Sequence, residues 1–189
     1  MANDQIHRIR EFANIQMAAE AFLLRGDEAA IDQDQVFQRL TDGNSHASRL
    51  TSAQSEQFVD KYEVLAQYRN DPLRADGAGF SGTLVRRRST GELTLAFRST
   101  EFRDDASRDT KATNQLEIAQ LGWAVGQIAE MEAWYAQLRS DPNLLAGRNF
   151  NVTGYSLGGH LATAFNILRR EEYAAAPEFN PVIATYTFN

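Results

Sequence analysis

The chain has 189 residues, 43% hydrophobic and 23% charged, a length and balance suited to a single globular domain with a real core. A formal net charge of −6 argues against nucleic acid as a partner, and no apolar run approaches the roughly eighteen residues of a membrane-spanning helix. There is no cysteine, so disulfide and thiolate chemistry are excluded, and His7, His46 and His160 share no metal-ligand spacing, so neither a metal site nor a cofactor is expected.

The opening segment reads as helix, with Ile6, Ile9, Phe12, Ala13, Met17 and Ala21 recurring at three- and four-residue steps and Gly26 as a stop. It lacks the basic start and apolar stretch of a signal peptide, so export is expected by a signal-less bacterial route, with a cytoplasmic location as the alternative. A second helix is expected over Asp27 to Leu40, then a loop from Asp42 to Arg49. A third helix runs to Lys61, capped by Thr51 or Ser52. Residues 1–61 thus form an N-terminal helical part.

At Tyr62 the pattern changes. Tyr62 to Tyr68 reads as a strand broken by Asn70-Asp71-Pro72. Phe80 to Arg88, a Ser89-Thr90-Gly91 turn and Glu92 to Arg98 make a hairpin, with Leu93, Leu95 and Phe97 on one face and Gly91 in the left-handed turn position. Arg86-Arg87-Arg88 then belong to a hairpin face rather than a polyanion site. Glu101 to Gln115 is polar and reads as loop, where Asp104 and Asp105 fit a solvated segment better than a cation site. Leu116 to Arg139 is an amphipathic helix with Leu121, Val125, Ile128, Trp134 and Leu138 inward, and Trp123 and Trp134 as packing residues. A strand at Phe150 to Thr153, a helix from Leu157 to Tyr173 and a strand from Pro181 to Phe188 complete the series. The fold class is α/β, a mixed sheet flanked by helices over residues 62–189.

Gly154-Tyr155-Ser156-Leu157-Gly158 fits G-x-S-x-G and falls between an expected strand and an expected helix. That context carries the chemistry. A sharp strand-to-helix turn projects the serine Oγ clear of the backbone, and Gly154 and Gly158 let strand and helix approach. The helix N-terminus aims its amides at a developing oxyanion, with the Leu157 N–H as one donor. Ser156 is the expected nucleophile.

The longer run Gly154-Tyr155-Ser156-Leu157-Gly158-Gly159-His160-Leu161-Ala162 resembles the nucleophile motif of the fungal-type (class 3) lipases and their bacterial relatives, members of the α/β-hydrolase superfamily. Leu95-Ala96-Phe97-Arg98-Ser99-Thr100 resembles that family's strand ending in Phe-Arg-Gly-Thr/Ser, and Ala184 to Asn189 resembles the strand after the nucleophile helix. The similarity spans roughly Tyr62 to Asn189. It implies an α/β-hydrolase domain and a lipase acting on lipid esters through an acyl-enzyme, with transient contact at a lipid surface; a phospholipase or a soluble esterase stays open. It also implies Thr100 as the second oxyanion contact, although Ser99 stands where the family usually has glycine. The family's lid would follow Thr100, where Glu101 to Asp109 offers one large apolar residue, Phe102.

A serine hydrolase needs a base, and the family order is serine, acid, histidine. After Ser156 the only histidine is His160, one turn along the helix, and no aspartate follows. The expectation is therefore a domain truncated after Asn189, with the acid and base beyond it. His160 as base, and a non-catalytic hydrolase-fold binding protein, are the alternatives.

Overall fold

The computed structural model describes residues 2–25, 28–44, 48–68, 79–98 and 124–189. The elements in chain order are α1 (Ala2–Ala19), a 3-10 turn (Gln33–Gln35), α2 (Val36–Asp42), α3 (Ser52–Lys61), β1 (Tyr62–Gln67), β2 (Gly82–Arg87), β3 (Leu93–Phe97), α4 (Val125–Ser140), β4 (Phe150–Tyr155), α5 (Leu157–Glu172), a second 3-10 turn (Pro177–Phe179) and β5 (Val182–Phe188). The five strands form one mixed sheet in chain order. β1 pairs antiparallel with β2 and β2 with β3, whereas β3–β4 and β4–β5 are parallel. Parallel neighbours need a crossover, and α5 supplies the one between β4 and β5. The expected mixed α/β architecture is therefore present.

Side-chain alternation divides the core into two layers. Leu93, Leu95 and Phe97 of β3 face one side with Phe150 and Val152 of β4, packed under Met131, Trp134, Tyr135 and Leu138 of α4 and Leu161 and Phe165 of α5. Ala96, Val85 and Val64 face the other side, beneath Phe12 and Ile15 of α1, Leu40 of α2 and Phe58 of α3. The hairpin closes at Gly91, whose φ of 72° is the left-handed value expected there. Trp134 is a core residue, so close to the sheet that a Cβ on Gly82 would strike its ring. The basic run is occupied internally: Arg86 pairs with Glu63, Arg87 with Glu11 and Glu92, and Arg88 donates to the Val59 and Tyr62 carbonyls.

Three local expectations need correction. α1 buries Phe12, Ile15, Gln16, Ala18 and Ala19, and Glu20 just after it is buried too, while Ile6, Ile9 and Met17 are exposed, so its inner stripe is rotated from the expected one. The second helix starts only at Val36, because the Asp32 side chain accepts from the Asp34 amide and nucleates a 3-10 turn. Val125 opens α4 with its side chain in solvent, and Met131 and Tyr135 take inward places instead. The Asn70 to Pro72 break, the segment Glu101 to Gln115, Leu121 and Trp123 lie outside the described residues. α3 begins as expected: Thr51 caps it and Gln54 returns a hydrogen bond to the Thr51 amide, a capping box.

Candidate active site

β4 delivers Ser156 to the C-terminal end of the sheet, and α5 begins at the next residue. Ser156 has φ 52° and ψ −119°, the only positive φ at a non-glycine residue among the described residues. A side chain in that region is strained by about 1–3 kcal/mol and persists only where its surroundings over-determine it. Here the constraints are specific. The Ser156 amide donates to the Phe188 carbonyl of β5 at 3.0 Å, and the Ser156 carbonyl accepts from the His160 amide at 3.1 Å. Strand and helix are thereby pinned on either side of one residue.

The glycines explain why the turn closes. A Cβ on Gly154 would collide with the Gly158 carbonyl, and one on Gly158 with the Phe97 carbonyl of β3. At Gly159 the nearest atoms would be 3.4–3.7 Å away, an ordinary contact. At Gly154 and Gly158, then, the close backbone approach leaves no room for a side chain.

Ser156 and Tyr155 are exposed, while Leu157 is buried. The Ser156 hydroxyl makes no capping bond to α5, so its own helix does not consume it. The first amides of a helix have no intrahelical acceptor, and the positive end of its dipole lies there. An exposed hydroxyl beside such amides can attack a carbonyl carbon while the Leu157 N–H receives the oxygen. His160 is half-buried one turn further, and burial pulls its imidazole below the ordinary value, favouring the neutral form. His7 is exposed in the first half of α1. Thr100, Ser99 and His46 lie outside the described residues.

The end of β3 forms the wall behind this turn. The Arg98 amide donates to the Ser81 carbonyl at 3.0 Å, and the Arg98 guanidinium lies 5.0 Å above the Phe22 ring. Gln67 bonds the Leu23 and Leu24 amides and the Ala21 carbonyl, fastening the chain after α1 to β1. Ala21 and Arg98 stood out in the sequence through the helical period and the Phe-Arg motif, whereas Gln67, Ser81 and Phe22 carried no local signal. The polar pair Gln16 and Glu20, four residues apart at the end of α1, was an available hint of a buried polar contact.

A cleft of about 420 Å³ lined by Tyr135, Arg139, Arg148, Tyr173 and Phe179 lies at the other end of the sheet, beside the residues that lead into β4 and β5. Among the described residues no group of three or more potential metal ligands comes together. No family model matches the chain, and no curated protein matches it significantly.

Proposed function

We propose that the protein is a serine carboxylic-ester hydrolase, a lipase in the first instance, that works through an acyl-enzyme at Ser156. The observation that carries this reading is an exposed serine held at φ 52° between a strand and a helix, its hydroxyl not used to cap that helix. A protein maintains such strain where an exposed, directed side chain is needed. The resemblance of Gly154 to Ala162, and of Leu95 to Thr100, to the fungal-type lipases supports the same reading.

In the proposed reaction the Ser156 Oγ attacks the ester carbonyl as its proton passes to a histidine base. The tetrahedral oxyanion is received by the Leu157 amide and, following the resemblance, by Thr100. The alcohol departs with that proton, and water then releases the acid from Ser156. The resemblance places the acidic residue and the histidine on loops after later strands.

The test is active-site labelling of the protein expressed from its whole reading frame. A fluorophosphonate is expected to modify Ser156, read by peptide mass, together with hydrolysis of p-nitrophenyl esters. Ser156→Ala is expected to abolish labelling and lower turnover by about 10⁴-fold or more. A folded protein that neither labels at Ser156 nor cleaves an ester would sink the proposal.

A further inference from the structure

The Phe97 carbonyl is the point where the helices on the two faces of the sheet meet. On one side the first turn of α5 rests on it so closely that Gly158 has no room for a Cβ, and the Arg98 carbonyl flanks the same spot. From the other side α1 reaches it: Gln16 Nε2 donates to the Phe97 oxygen at 2.9 Å, across 81 residues of sequence. The second hydrogen of the same amide goes to Glu20 Oε1 at 3.0 Å. Gln16 is 3% exposed and Glu20 4%.

This arrangement leaves Gln16 no rotational choice. Its nitrogen lies between a carboxylate and a carbonyl, both acceptors, so a flipped amide would set oxygen against oxygen. The bond to Glu20 fixes the side chain further, because both amide hydrogens are then directed at acceptors. A buried glutamine–glutamate pair at the end of a helix gains nothing from apolar burial, so its value must lie in its partners. The partner here is the backbone on which the nucleophile turn rests.

We infer that Gln16, oriented by Glu20, is a positioning residue for the reaction at Ser156: it holds the end of β3 at the distance that seats the first turn of α5, and with it the Leu157 amide, against the nucleophile. The inference rests on the proposed ester hydrolysis. Its physical warrant is the sensitivity of catalysis to placement, since an error of about 1 Å at the reacting centre can cost on the order of 10²-fold in rate. Phe97 O is one backbone contact from Gly158, so a shift there passes directly to the helix start. Gln16 touches no reacting atom.

The experiment measures phosphonylation of Ser156 by one fluorophosphonate probe and p-nitrophenyl ester turnover, in the protein expressed from its whole reading frame, with melting temperature recorded beside both. Gln16→Met preserves length and removes the donors. It is expected to slow the limiting phosphonylation rate and kcat by about tenfold, with KM and half-saturating probe concentration within about twofold. Glu20→Gln, which retains an acceptor oxygen, is expected to react nearly as wild type, whereas Glu20→Ala loses several-fold in rate. A folded Gln16→Met protein with the wild-type limiting rate overturns the assignment, as does a change confined to KM. If Gln16→Met does not fold, the Glu20 pair decides. A loss in Glu20→Ala that Glu20→Gln restores supports the assignment, and equal wild-type rates in both overturn it. A wild-type protein that never labels at Ser156 overturns the ester-hydrolase reading as well, whereas equal labelling of all variants overturns only the role of Gln16.

Discussion

Gly158 and Gly159 are adjacent glycines in the first turn of α5, yet they answer to different constraints. Gly158 faces the Phe97 carbonyl with no space for a methyl group, and both collision partners are backbone, which cannot rotate away. Gly159 has room at 3.4–3.7 Å. Neither has a positive φ, so space alone separates them. Gly158→Ala is therefore expected to destabilise by about 1–3 kcal/mol as the turn is forced off β3, with loss of labelling at Ser156. Gly159→Ala is expected to be neutral or to stabilise by up to about 1 kcal/mol, because alanine is the better helix former. Urea unfolding of the two variants beside wild type checks the pair, and equal destabilisation by both would show that close approach is not what selects glycine at 158. The G-x-S-x-G pattern picks out Gly158 and not Gly159, and the contact with β3 supplies the physical difference between them.

At the scale of elements, α1 is tied to the sheet by Glu92, at the entrance to β3. Arg8 of α1 donates to both Glu92 oxygens at 2.7 and 3.1 Å, Asn151 of β4 donates at 2.7 Å, and Arg87 of β2 approaches to 3.4 Å. The hydrogen bond from Arg8 holds the Glu92 carboxyl below its ordinary value, aided by the charges of Arg8 and Arg87 and the Asn151 amide, and opposed by burial. A carboxyl whose pKa falls on folding stabilises the fold above its unfolded value, and that contribution is lost as pH drops through the folded one. Glu92→Gln is expected to be less stable than wild type at pH 7 by no more than about 1 kcal/mol, since the pair is partly solvated. The gap should close below about pH 4. Urea midpoints from pH 7 to pH 3 test this, and a gap independent of pH would remove the charge from the explanation. Elements with a strong local signal were legible in sequence: the hairpin through Gly91 and its alternation, α3 through Thr51, the strand–serine–helix turn through its glycines. The inner stripe of α1 was not. Ile6, Ile9 and Met17 mimic a buried face, whereas Gln16 and Glu20 are inside because of a carbonyl 81 residues away, and a helical period cannot anticipate a long-range polar partner. The second helix failed for the opposite reason, a local one: the Asp32 side chain competes for a backbone amide.

For the molecule as a whole, strand order following chain order leaves β1 and β5 as the outer strands of the described sheet. β5 receives the Ser156 amide on its inner side, so this outer strand is also part of the frame of the candidate site. Its residues are only partly covered: Phe12 stacks on Tyr186 at 3.9 Å, but Ile183 is 60% exposed and Phe179, just before the strand, 70%. In these 189 residues taken alone, an outer strand with exposed apolar side chains is a template for pairing with another chain, and natural edges are commonly blunted by lysine. Ile183→Lys is therefore expected to lower self-association, read by light scattering against concentration. Its unfolding free energy should stay within about 0.5 kcal/mol of wild type, as for substitutions at exposed positions. The turn at Ser156 should be undisturbed, because Ile183 lies near the start of β5 and the Phe188 carbonyl that holds Ser156 lies at its end. If scattering persists while stability is unaffected, the outer side of β5 is not the associating surface.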